Sequence, residues 1–159
     1  MFKNPSFLKS FKHSLDGLMY CIRTQRNFRF HLVAAFTVFI VGMMYKLHLN
    51  QFVVLIFTVG FVVICEMINT AIESVVDMSC TEYNEYAKIA KDVSSGAVLF
   101  SAIMAVIVAL LIFLKPDKII SVIMFVLSRP YMWIVVIAYT ITAVLFVRGK
   151  MFAKYIDKE

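Results

Sequence analysis

Residues 52–77 read FVVLIFTVGFVVICEMINTAIESVVD. The run 52–65 carries no charge, and 66–77 sets Glu66, Asn69, Glu73 and Asp77 among apolar neighbours without a Gly or Pro. A stretch of this kind approaches the ~20 apolar residues that cross a ~30 Å hydrocarbon layer as an α-helix. At 100° per residue, Asn69 lies at about −60° from Glu66, Glu73 at about −20° and Asp77 at about +20°. A membrane helix with one polar face is predicted. If the hydrocarbon begins at Phe52, it ends near Ala71 after ~20 residues. Glu66 then sits roughly 7 Å inside that boundary and Asp77 roughly 9 Å beyond it, at ~1.5 Å per residue. Carboxylates at such a depth cost several kcal/mol unless they are paired, hydrated or bound to metal.

The rest of the chain has the same character. Its 159 residues are 62% hydrophobic with a mean hydropathy of +0.85, above the half-apolar composition of soluble domains. Further uncharged runs cover 32–45, 93–114 and 131–147. An all-α integral membrane protein is predicted. A basic amphipathic surface helix occupies 5–29, with Phe7, Phe11, Leu15, Leu18 and Ile22 at helical spacing. Spans follow over about 30–49, 52–78 and 87–114, and a fourth over 131–147 after Pro130. Asn50 and Gln51 mark a turn, and 119–127 is too short to span and lies at the interface. The organisation expected is a membrane domain over 1–114 and a C-terminal extension over 115–159. No secretory signal peptide is read at the N-terminus, since Lys3, Lys9 and Lys12 interrupt it. Four spans bring Lys3, Lys9, Lys12, Arg23, Arg26 and Arg29, then Lys88 and Lys91, then Arg148, Lys150, Lys154 and Lys158 to one side. By the positive-inside rule that side is cytoplasmic. Lys46, Lys115, Lys118 and Arg129 fall on the other.

The net charge of +6 flanks apolar runs, which suits anionic lipid headgroups and argues against nucleic acid. Cys21, Cys65 and Cys80 form no CxxC pair and read as inert thiols. His13, His31 and His48 are scattered, with surface or interface roles. Trp133, Tyr131 and Tyr139 read as interfacial anchors. Neither a Walker A loop nor a kinase glycine loop occurs. Residue chemistry alone leaves three readings of the acidic face: a polar seam between helices, an ion or proton path, or a divalent-metal site for phosphate chemistry where ATP from water meets a lipid.

The segment Glu66-Met-Ile-Asn69-Thr-Ala-Ile-Glu73-Ser-Val-Val-Asp77 resembles the ExxNxxxExxxD signature of the prokaryotic diacylglycerol kinase family. Downstream Glu82-Tyr83 and Ala90-Lys91-Asp92-Val93-Ser94-Ser95-Gly96-Ala97, and upstream Arg26-Asn27-Phe28-Arg29-Phe30-His31-Leu32, extend the resemblance over roughly 7–114. The upstream segment is similar to the Gram-positive branch, whose usual substrate is undecaprenol. The resemblance implies a homotrimer in the bacterial cytoplasmic membrane, with sites between subunits facing the cytoplasm. It implies Glu66 as general base toward a lipid hydroxyl and Asn69 as its support. Glu73 is implied as a Mg²⁺ ligand bringing in ATP, Asp77, Lys91 and Asp92 as nucleotide contacts, and Ser95 beside the lipid site with Glu66. The substrate expected is undecaprenol, or else diacylglycerol.

Two departures stand out. Gln25 occupies a position where the family usually carries a Glu that helps hold Mg²⁺. A Gln still offers its carbonyl oxygen for metal and nucleotide binding, but no charge, so weaker Mg²⁺ affinity is expected. Residues 115–159 add a span with no chemistry of their own. The alternative from another class is an ion-coupled or structural membrane protein whose catalysis is weakened by Gln25.

Overall fold

The computed structural model describes residues 7–80 and 82–149. Lys3, Lys150, Lys154 and Lys158, invoked above for topology, lie outside them. All regular elements among the described residues are helices: α1 (Phe7–Thr24), α2 (Arg26–Met44), α3 (Leu49–Ser79), α4 (Glu85–Phe113), α5 (Pro116–Leu127) and α6 (Pro130–Val147). Four of them, α2, α3, α4 and α6, are long and apolar enough to cross a membrane.

The helix boundaries follow local chemistry and shift several expectations. The surface helix does not run on to residue 29. It stops at Thr24, and Gln25 adopts an extended conformation at the head of α2. Phe28 and Arg29 belong to α2 and are buried, which the amphipathic pattern of α1 could not accommodate. Asn50 and Gln51 lie in the first turn of α3, and the reversal falls at residues 45–48. The Gln51 side chain accepts from the His48 amide at 3.1 Å, satisfying one donor at the helix start. Asn84 caps α4, its Oδ1 accepting from the Tyr86 and Ala87 amides at 2.9 and 3.1 Å. Pro116 and Pro130 open α5 and α6, where a missing N–H costs nothing. At 12 residues, α5 is ~18 Å long, too short to span.

Successive spans alternate in direction. α3 and α4 form the most extensive pair, α2 packs on α3, and α6 packs on α2. At the end of the bundle away from the acidic face, Tyr45, Leu47, Leu55 and Ile112 make a buried core. There the Tyr45 hydroxyl donates to Phe113 O at 3.2 Å and Lys118 Nζ donates to Tyr45 O at 2.8 Å. Tyr139 is not an interfacial anchor. Its hydroxyl lies 2.6 Å from Thr37 Oγ1 and donates to Val33 O at 3.3 Å, joining α6 to α2 within the span. At the other end, Arg29 of α2 meets the C-termini of α1 and α6.

Candidate active site at one end of the α3–α4 pair

With 31 residues, α3 is ~46 Å long and exceeds a ~30 Å hydrocarbon layer by several turns. Its excess carries the polar face. Burial falls steadily along that face: Glu66 is 3% exposed, Asn69 is buried, Glu73 is half-buried and the Asp77 side chain is 67% exposed.

The residues are wired to α4 in sequence. Ser94 Oγ donates to Asn69 Oδ1 at 2.6 Å. Asn69 Nδ2 donates to Glu73 Oε1 at 3.0 Å. Farther out, Lys91 Nζ pairs with Asp77 Oδ1, and Lys91 O also accepts from Ser94 Oγ at 3.0 Å. The chain Ser94–Asn69–Glu73 fixes the Asn amide with its N–H group toward the carboxylate. Ser94 was not singled out from the sequence, where Ser95 was. Ser94 faces α3, while Ser95 is exposed and donates within its own helix to Asp92 O at 3.1 Å. Asp92 lies ~160° around the helix from Ser94 and is exposed. Asp92 and Ser95 are therefore not brought to the acidic face of the same chain.

Glu66 has a neighbour that the sequence pattern missed. His31 is no scattered surface histidine: its Nε2 lies 3.3 Å from Glu66 Oε1. The distance permits electrostatic contact, yet the orientation does not make a hydrogen bond, and among the described residues Glu66 Oε1 is buried with no hydrogen-bond partner. The signal for His31 was present in the segment 26–32, but the contact crosses from α2 to α3 and no helical periodicity reports it. Thr70 Oγ1 donates to Glu66 O at 3.0 Å. Cys21 of α1 packs nearby; burial pushes its thiol pKa up, partly offset by the Thr70 side chain. A thiol so placed is poorly ionised and unreactive near neutral pH, as expected of it.

An apolar groove of about 280 Å³ leads to this point. Phe30, Ala34, Leu55, Val62 and Ala105 line it between α2, α3 and α4, and His31 stands at its polar end. The arrangement has two approaches: one from the bilayer through the groove, one from water along Glu73, Asp77 and Lys91.

Among the described residues, no three His, Cys, Asp or Glu side chains gather closely enough to cage a metal. What the chain offers is hard oxygen donors on a half-exposed face. Glu73, with one oxygen held by Asn69, retains acceptor capacity. Such a set fits Mg²⁺, which takes one or two carboxylates and completes its shell with water and phosphate.

The model of prokaryotic diacylglycerol kinases matches residues 12–113. The chain belongs to the prokaryotic diacylglycerol kinase family. It is 40% identical over 108 residues to the undecaprenol kinase of Bacillus subtilis (strain 168), covering 68% of this chain and 88% of that one. It is 43% identical over 113 residues to the diacylglycerol kinase of a Synechocystis species, covering 70% and 65% of the two chains. With the diacylglycerol kinase of Escherichia coli (strain K12) it shares 36% over 100 residues, covering 63% and 82%. The family match takes in α2, α3, α4 and most of α1, with every residue of the polar network. It ends at Phe113, so α5 and α6 stand outside it.

Proposed function

We propose that the protein transfers the γ-phosphoryl group of ATP to the hydroxyl of a membrane lipid alcohol, undecaprenol first and diacylglycerol second. The observation that carries this reading is Glu66: a buried carboxylate oxygen that accepts no hydrogen bond among the described residues, 3.3 Å from the His31 that lines an apolar groove. An acceptor in that state is available to take the proton of an incoming hydroxyl. The lipid tail occupies the groove and its alcohol reaches Glu66. His31, 3.3 Å from Glu66 Oε1, steadies the charge on the base. Asn69, held by Ser94, fixes Glu73 and keeps an amide between base and phosphate.

ATP enters from the exposed end. Lys91 exchanges its bond with Asp77 for a phosphate oxygen, and the charge it brings offsets the polyanion. Glu73 and Gln25 would hold Mg²⁺, which when bound would supply charge neutralisation to the phosphates. Phosphoryl transfer relies on such positioning more than on covalent help. Asp92 and Ser95 take part from a neighbouring copy in a homotrimer, Asp92 at the nucleotide and Ser95 at the lipid. The basic flanks set the site on the cytoplasmic face of the cell membrane. No observation favours the ion-coupled alternative.

The test is transfer of labelled γ-phosphate by the purified full-length protein in lipid vesicles, with undecaprenol and diacylglycerol offered in parallel. A labelled lipid phosphate that is lost in Glu66→Gln supports the kinase and the base, and the lipid that accepts more label names the substrate. Absence of product with both lipids at saturating Mg²⁺, from a folded protein, refutes the reading.

A further inference from the structure

We infer that the C-terminal helix α6 clamps the α1–α2 joint through Arg29, and that Arg29 and Gly149 are positioning residues for the site; the link to the site rests on the kinase reading above. Arg29 is 4% exposed. Its Nη1 donates to Ile22 O at 2.9 Å and Arg23 O at 3.0 Å, in the last turn of α1. Its Nε donates to Val147 O at 3.2 Å, the last residue of α6. The last carbonyls of a helix have no partner in the helix itself and form the negative end of its dipole. One guanidinium thus satisfies the ends of two helices that are distant in sequence. Among the described residues no carboxylate pairs with Arg29, so these carbonyls are what makes burial of the cation tolerable.

Gly149 shows that the contact is shaped on both sides. It has φ +72°, and a Cβ added there would stand 2.9 Å from Arg29 Nη2 and 3.3 Å from Arg29 Cζ. The absence of a side chain lets the backbone after α6 close over the guanidinium. Farther along, the Thr37 and Tyr139 hydroxyls hold α6 against α2. The clamp lies beside the site. The Arg29 amide donates to Gln25 O at 3.3 Å, and Cys21 in the same turn of α1 packs beside Thr70 and Glu66. Gln25 therefore sits between the last turn of α1 and the Arg29 that joins that turn to α6. Among the described residues the extension brings no reacting group; it fixes where the α1–α2 joint, and Gln25 with it, stands relative to α3.

The experiment compares the full-length protein with Gly149→Ala, Gly149→Asn, Arg29→Lys and the double variant Gly149→Ala/Arg29→Lys in vesicles. Asn tolerates a positive φ but adds the same Cβ, so it separates the clash with Arg29 from backbone strain. Hydrogen exchange of residues 18–27 and the half-saturating Mg²⁺ concentration for ATP are read together. Gly149→Ala and Gly149→Asn are expected to speed exchange at the joint and to raise half-saturating Mg²⁺ about fivefold, with kcat at saturation unchanged. In the Arg29→Lys background, where Nη2 is gone, the further effect of Gly149→Ala shrinks below about twofold. Wild-type exchange in both Gly149 variants, or additive effects in the double variant, overturns the clamp. Faster exchange with unchanged half-saturating Mg²⁺ overturns the positioning role. If the wild type phosphorylates neither lipid, the kinase reading and the positioning role built on it fall, while exchange in the four variants still decides the clamp.

Discussion

At one end of the α3–α4 pair, Leu55 and Ile112 pack with Tyr45 and Leu47 into a buried apolar core. At the other end, Asn69, Ser94 and Glu66 occupy the equivalent interface with hydrogen bonds and a carboxylate oxygen that accepts none among the described residues. The same two helices serve both ends, so the contrast isolates what each kind of contact does. Lipid offers a helix surface nearly the same apolar surroundings as a protein core, and packing alone distinguishes them. The apolar end therefore holds the pair together by fit. The polar end gives up some of that fit to keep a carboxylate in low dielectric, where its interactions are strong and its isolation is costly.

Breaking the two ends separately should give opposite signatures. The largest effect is expected from Glu66→Gln, which keeps the size of the side chain and removes the proposed base. Turnover should fall about 10²–10⁴-fold, with unfolding in mixed micelles unchanged; a loss under tenfold would take the base away from Glu66. Ile112→Ala at the apolar end should lower stability by about 2 kcal/mol, the low end for buried aliphatic side chains because lipid already supplies the apolar medium. The folded fraction should keep its Michaelis constants, and a changed constant would show that the ends are not separable. Gln25→Glu sharpens the polar end. A charge restored at the joint should lower half-saturating Mg²⁺ by about tenfold, equivalent to 1.4 kcal/mol, and an unchanged Mg²⁺ titration removes Gln25 from the metal site. Ser94→Ala is expected to do least. Losing the bond to Asn69 should cost about 1 kcal/mol and lower turnover about fivefold, whereas Ser95→Ala should leave stability alone.

The difference between the ends also explains what was legible in the sequence. The acidic face of α3 could be read because its members lie on one helix, where 100° per residue fixes their relation. The four spans and the short α5 followed from run lengths. His31 could not be read, since its meeting with Glu66 depends on how α2 packs against α3. Arg29 was harder still, because its partners are backbone carbonyls, which leave no trace in side-chain patterns. Tyr139 misled for a related reason. An aromatic hydroxyl in an apolar run reads as an interfacial anchor, and only the neighbouring Thr37 reveals that it bonds inside the bundle. The break at Gln25 lacked the usual Gly or Pro, and was set by the burial of Phe28 and Arg29 on a new helix.

The continuity of α3 has a last consequence. Glu66, Asn69, Glu73 and Asp77 ride on a single uninterrupted helix, so their mutual spacing is fixed by its rise. A thinner or thicker bilayer is met by tilting and by local deformation of lipid. Hydrophobic mismatch therefore moves the whole acidic face up or down relative to the headgroups, like marks on a dipstick. Membrane thickness sets how deep the acidic face lies, while the distances among the backbone positions of its four residues stay the same.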